Sequence, residues 1–420
     1  MPFTFLHAAD LHLGSPFKGL AARDEALARR FSEASRKAFS ELIERAIAEN
    51  VAFVLIAGDV YDGEWKDMSI GHFFNREVAK LARVGIPVFL IKGNHDAASE
   101  VTKTLPLPES VHVFPENRAE TRYIESLRVA IHGRSFASRS VTENLSRSYP
   151  PVEPGFLNIG MLHTSLAGNP AHETYAPCSI DDLARHGYDY WALGHIHQFE
   201  IVATEPHIVY PGNLQGRSVR ECGPKGAVFV DVSEAGITGV RRVIVDQARF
   251  AEITVDITDL ASETDVTNQL RDSFVQLSDL AENRLIAVRV RLKGSAPVHP
   301  SLIARRAQLT EDVQSLLHHV YEDAWLEKLV IDSREPDELI GPDFGASSLD
   351  IAALFAELEH DPEMRKVGEQ LLQDIGNAWP SLQEFVAAGL TEELNQLLDE
   401  ARTLVLARGS GAIAPVTGRE

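Results

Sequence analysis

Short, unbroken apolar runs alternate with stretches of helical period through the first 250 residues. "FTFLHAAD", "VAFVLIAGD" and "IPVFLIKGN" read as buried strands, each a compact apolar run closed by Gly, Asp or Asn. Between them, "EALARRFSEASRKAFSELIERAIAEN" and "GHFFNREVAKLARVG" carry apolar residues at the spacing of an amphipathic helix. "LRVAIHG", "FLNIGMLH", "DYWALGH", "HIVYPG" and "GAVFVDV" then follow as strands with little helix between them. The pattern predicts a layered α/β domain over residues 1–250, with mixed sheets flanked by helices.

The texture changes beyond residue 250. "FAEITVDI", "LIAVRVRLKG" and "AWLEKLVID" predict strands, and "SETDVTNQLRDSFVQLSDL" and "SLIARRAQLTEDVQSLLHHV" predict helices. They make a small α+β module over 251–335 that would cap the first domain. A Pro- and Gly-bearing linker is expected at 336–347. Residues 348–408 read as a C-terminal region of amphipathic helices, and 409–420 as a disordered tail.

Composition changes this picture little. With 44% hydrophobic and 24% charged residues, the chain is an ordinary globular one. No apolar run has the length of a bilayer span, so no membrane partner is expected. The N-terminus lacks the basic region and apolar core of a secretory signal, and the expected location is cytoplasmic. Cys178 and Cys222 are too few for a disulfide framework or a CxxC zinc site. Charge matters more. A net charge of −21 opposes binding to nucleic acid. It is unevenly spread: residues 1–250 hold 26 Lys and Arg against 30 Asp and Glu, a balance of −4, which leaves −17 for the rest. Bound cations would also invert the local field of an acidic site. The balance therefore leaves a phosphodiester substrate open.

Candidate chemistry sits where the apolar runs end. Asp10 and His12 follow the first run, Asp59 and Asp62 the second, and Asn94, His95 and Asp96 the third; His163 closes "FLNIGMLH", and His195 and His197 follow "DYWALG". Loops beyond strand C-termini build active sites in layered α/β proteins. Imidazole and carboxylate ligands without thiolate suit Mn²⁺, Fe or Zn²⁺ better than Mg²⁺ alone. They are too many for one closed tetrahedral site. A pair of divalent ions about 3.5–4 Å apart accommodates them, with one carboxylate as bridge. Such ions would acidify a bound water and clamp phosphoryl oxygens. If "GHIH" stays extended, His195 and His197 lie on one side of the chain, on one ion or shared between two.

The series "DLH", "GDVYD", "GNHD", "LHTS" and "GHIH" resembles the calcineurin-like metallophosphoesterase superfamily. Within it, "ADLHLGSPF", "YPGNLQGRSVRE", the small module and the helical end resemble DNA-repair exonuclease subunits of SbcD and YhaO type. The resemblance implies a layered metallophosphoesterase fold and two ions, with Mn²⁺ expected. Asp10, His12, Asp59 and His197 would hold the first ion, and Asp59, Asn94, His163 and His195 the second. His95 would contact the phosphate and protonate the leaving oxygen, oriented by Asp62. The implied function is a two-metal DNA nuclease. It would work with an SbcC- or YhaN-like coiled-coil ATPase docked on the C-terminal helices, and form a homodimer. The chain itself has no GxxxxGK[ST]. Gly63 follows Asp62 where the superfamily's protein phosphatases carry arginine, which weakens that reading. The rivals are a small-molecule phosphodiesterase or phosphatase on the same site, and a non-catalytic scaffold for DNA or the ATPase.

Further residues are expected around this site. Arg217 and Arg220 follow a strand close to it and are candidates for phosphate contact. Arg289 and Arg291 alternate with apolar residues, and their cationic face would either meet DNA or be a solvated face that discourages edge pairing. Asp96 would support its turn or contact a ligand residue from behind, and His172, in a loop soon after His163, is not assigned to the site. His7, out of register with Asp10 and His12, is expected to face the other way.

Overall fold

The apolar runs of the first 250 residues become strands in a computed structural model, which describes residues 2–15, 25–62, 68–98, 107–166 and 176–336, with Lys366 and Gln370 beyond them. In chain order the strands are β1 (Phe3–Ala8), β2 (Val54–Ala57), β3 (Val88–Ile91), β4 (Val111–Val113), β5 (Glu120–Ile124), β6 (Val129–Gly133), β7 (Leu157–His163), β8 (Tyr190–Gly194), β9 (Glu200–Thr204), β10 (His207–Tyr210), β11 (Gly226–Ser233) and β12 (Gly236–Ile244). They form two six-stranded sheets, ordered β12-β11-β1-β2-β3-β4 and β5-β6-β7-β8-β10-β9. Both are mixed. β1 to β4 pair in parallel and β11 runs antiparallel to β1. β6, β7, β8 and β10 pair in parallel, with β5 and β9 antiparallel outside them.

Period two along the central strands separates two cores. Phe5, Phe53, Leu55 and Ala57 pack with Ile131, Ile159, Met161 and Tyr190 between the sheets. Leu6, Val54 and Ile56 pack on the other face against Phe39 and Leu42 of α1 (Glu25–Ala48) and Phe74 and Val78 of α2 (Met68–Arg83). Cover on both faces is why these strands read as continuous apolar runs. His7 belongs to the inter-sheet side. Its Nδ1 is 2.9 Å from the Tyr190 hydroxyl and its Nε2 3.1 Å from Leu193 O. Burial drives its pKa down to about 3, so it is a neutral core histidine. The second sheet's outer face carries Trp191, Leu193 and Tyr149, packed with Leu183 of α4 (Ile180–Ala184); the short α3 (Asn94–Ala98) follows β3.

Contacts divide the chain into two units, residues 1–251 with 280–287, and residues 252–279 with 288–420. The second unit is built around the sheet β13-β14-β15, of β13 (Ala248–Asp256), β14 (Leu285–Ser295) and β15 (Ala324–Arg334). Each predicted helix there is two: α5 (Glu263–Ser273) with α6 (Leu277–Ala281), and α7 (His299–Ala304) with α8 (Arg306–Val320). β14 is the central strand, and its arginines are already paired. Arg289 forms two 2.7 Å bonds to Glu327, and Arg291 bonds Glu252 at 2.6 Å and also Asp332. This corrects the expectation of a cationic face on Arg289 and Arg291: carboxylates on neighbouring strands balance it.

The expected linker (apart from Pro336 at its start), the helical region 348–408 (apart from Lys366 and Gln370), the tail 409–420, Gly63 and His172 lie outside the described residues. No helix among the described residues is long and apolar enough to cross a membrane.

Candidate metal centre

The loops after β1 and β2 are zipped together by their backbones. The Asp10 amide donates to Gly58 O at 3.0 Å, His12 to Asp59 O at 3.0 Å and Leu13 to Val60 O at 2.9 Å. This bonding holds residues in a conformation that side chains disfavour. Asp10 (φ 51°), His12 (φ 42°), Asp59 (φ 54°) and His195 (φ 100°) all lie in the left-handed region. The value at His195 corrects the extended reading of "GHIH". β8 stops at Gly194 and the chain turns, so the two imidazoles part. The His195 ring lies 5.3 Å from that of His163, while His197 Nε2 lies 3.1 Å from His12 Nε2.

Asp96 ties the third loop to the second. Its carboxylate accepts the amides of Val60 (3.2 Å), Tyr61 (3.1 Å) and Gly93 (3.1 Å). Burial, with the charge of Asp59 nearby, pushes its pKa up to about 6. Asp96→Ala leaves three buried amides without an acceptor, at about 1–3 kcal/mol each. We expect the variant to lose about 3 kcal/mol or more, read as a fall of roughly 6 °C or more in Tm; an unchanged melting curve would contradict this role. Gly93 has its own reason: a Cβ there would lie 2.2 Å from Asp59 Oδ1.

These loops gather three overlapping groups of possible ligand atoms, one of them His12, Asp62 and His95. Asp10, His12 and His197 lie within 4.8 Å of one another, as do Asp10, Asp59 and His163. Asp59 Oδ2 is 3.4 Å from His163 Nε2 and 3.9 Å from His12 Nε2, so it reaches towards both. Asp10 also accepts the His195 amide at 3.0 and 3.1 Å. The donor set fits cations on one specific ground. His163 Nδ1 lies 2.9 Å from Ala57 O and donates to it, which leaves a lone pair on Nε2. That lone pair faces Asn94 Oδ1 at 3.0 Å and Asp59 Oδ2 at 3.4 Å. Converging acceptors call for a positive charge among them. The same demand appears in the electrostatics: burial pulls the His163 pKa down, yet Asp59 and Asp10 raise it above the usual range. Burial resists ionisation of Asp59, but His163 and His95 hold its pKa below the usual range. Burial raises that of Asp10, against the pull of His197 and His163. The His12 pKa is driven far down, by burial first and by Arg217 second.

In the third group, His95 Nδ1 lies 3.0 Å from Asp62 Oδ1. Burial disfavours charge on both. The hydrogen bond between them nevertheless raises the pKa of His95 and lowers that of Asp62. The His95 backbone amide donates to Asp59 Oδ1 at 2.9 Å, independently of its ring.

Of the candidate arginines, Arg217 reaches the site, with Nη1 3.9 Å from Asp62. Arg220 is exposed in a 3-10 turn, Val219–Glu221. Sequence reasoning missed Glu221, whose Oε1 is 2.8 Å from His197 Nδ1. Its signal was present, since it closes the segment "GNLQGRSVRE" that supplies Arg217.

Residues 3–199 match the calcineurin-like phosphoesterase family, and residues 250–334 match the middle domain of the metallophosphoesterase YhaO. The chain is 32% identical over 385 residues to the metallophosphoesterase YhaO of Bacillus subtilis, covering 88% of this chain and 93% of that one. It is 27% identical to the DNA double-strand break repair protein Mre11 of Sulfurisphaera tokodaii, over 64% of this chain and 69% of the relative. It is 24% identical to the SbcD component of the nuclease SbcCD of Escherichia coli, over 64% of this chain and 74% of the relative. The chain, with its Asp and His groups at the ends of β1, β2, β7 and β8, belongs to the calcineurin-like metallophosphoesterases, in their SbcD/YhaO-type branch.

Proposed function

We propose that the chain is a two-metal DNA nuclease that hydrolyses phosphodiester bonds, with Mn²⁺ as its working ion. The observation that carries this reading is the pair of ligand groups with the His95–Asp62 couple beside them. In it, Asp10, His12, Asp59 and His197 hold the first ion, and Asp59, Asn94, His163 and His195 the second. Ions bound there supply Lewis acidity, making a water more acidic and stabilising charge on phosphoryl oxygens. The chain's own residues do the rest. Asp62 accepts from Nδ1 and favours the protonated ring, whose Nε2 can then give its proton to the leaving oxygen. Arg217 is the candidate phosphate contact. DNA as substrate is favoured by the names of the Mre11 and SbcCD relatives. The SbcCD relative, named as one component of a larger nuclease, also favours a partner. We assign that part to an ATPase similar to SbcC or YhaN, met through residues 348–408.

The test is cleavage of end-labelled single- and double-stranded DNA with Mn²⁺, run beside a cyclic nucleotide and an aryl phosphate. Mn²⁺-dependent shortening of DNA is expected. Rapid turnover of the cyclic nucleotide with intact DNA would replace this reading with a small-molecule phosphodiesterase.

A further inference from the structure

His197 can bind a cation through Nε2 only while its ring proton sits on Nδ1, and two neighbours of Nδ1 pull in opposite directions. Glu221 Oε1 lies 2.8 Å away and Arg217 Nη2 3.1 Å away. A carboxylate accepts, so a bond to Glu221 keeps the proton on Nδ1 and leaves Nε2 a lone pair. That lone pair is the one facing His12 Nε2 at 3.1 Å. A guanidinium only donates. A bond from Arg217 to Nδ1 would move the proton to Nε2 and remove His197 from the ligand set.

The surrounding bonds favour the carboxylate. Glu221 Oε1 also accepts from Arg217 Nη2 at 3.0 Å and Nε at 3.3 Å, drawing the guanidinium to itself. Oε2 accepts from Asn213 Nδ2 at 2.8 Å and the Arg217 amide at 2.9 Å, which fixes the carboxylate in place. Behind the ring, the buried Lys225 Nζ donates to His197 O at 2.8 Å. One segment, residues 213–225, thus grips His197 by its side chain and by its backbone.

We infer that Glu221 is a positioning residue that selects the metal-binding tautomer of His197 against competition from Arg217, with Lys225 anchoring the His197 backbone. The inference rests on the reading of His197 as a ligand of the first ion. Losing a carboxylate behind a metal-bound histidine costs about 10–100-fold in metal affinity.

The test uses the full chain, Mn²⁺ titration by calorimetry, and ¹⁵N-histidine NMR of the metal-free protein. Wild type is expected to bind two ions and to show His197 with its proton on Nδ1. Glu221→Ala should weaken one ion about 10–100-fold, spare the other, and move the proton to Nε2. Glu221→Ala combined with Arg217→Met should regain much of that affinity, which a merely structural role of Glu221 would not produce. Should Glu221→Ala fail to fold, Glu221→Met, which keeps bulk and removes the acceptor, carries the test with the same expected loss; wild-type affinity there would overturn the inference. A Glu221→Ala variant that keeps both ions and the Nδ1 proton would overturn it, while loss of one ion in His197→Ala would leave the metal reading standing. A double variant no better than the single one would overturn the competition with Arg217. Wild type that binds no Mn²⁺ would remove the metal reading, and the inference with it.

Discussion

Asp59→Asn is expected to lose both ions and to slow phosphodiester hydrolysis by about 10³-fold or more. The size follows from the Lewis acid's several kcal/mol of transition-state stabilisation, at tenfold in rate for about each 1.36 kcal/mol. The position follows from geometry. Asp59 Oδ2 points towards His163 and His12 at 3.4 and 3.9 Å, so its carboxylate reaches one histidine of each ligand group. Asparagine keeps the shape and can still accept the His95 amide, which Asp59 Oδ1 takes at 2.9 Å. The fold should therefore survive while the charge is lost. Metal content by mass spectrometry and steady-state rates on DNA read the two effects separately. Two ions per chain retained in the variant would remove Asp59 from its place as bridge.

What could be read from the sequence depended on burial. β1, β2, β3, β7 and β8 are covered on both faces, and each announced itself as an apolar run with its polar residues at the end. The strands that gave no such signal are β4, β5, β9 and β12, the edges of the two six-stranded sheets. β5, "ETRYI", and β9, "EIVAT", contain no fully buried residue, so nothing selected for an apolar run. The same logic explains the site. Candidate ligand residues could be named because each follows a buried strand. Their division between two groups could not be derived from period-two geometry, because the backbone turns at His195. Glu221 stayed hidden for a related reason: it lies in a 3-10 turn, where no periodicity marks a side chain's direction. Arg289 and Arg291 failed as free cations because their partners, Glu327, Glu252 and Asp332, lie about forty positions away in the chain.

His95→Ala is expected to keep both ions and lose about 10²–10⁴-fold in the rate on DNA, the usual contribution of a positioned proton donor. Retention of the ions follows from the backbone. The bond from His95 to Asp59 uses the main-chain amide, so Asp59 stays fixed when the ring is removed. An aryl phosphodiester, whose leaving group needs no proton, should lose far less in the same variant. Asp62→Asn tests the couple by pH. Burial lowers the His95 pKa, and the hydrogen bond to Asp62 overcomes this and raises it. The protonated ring is the donor, so activity is present below this pKa and falls as pH rises through it. Without the carboxylate the pKa drops, and the alkaline limb of the kcat/KM profile should move to lower pH. A limb that stayed in place would show that a group other than His95 sets it. An equal loss on DNA and on the aryl ester would mean that His95 holds the phosphate and does not protonate the leaving oxygen.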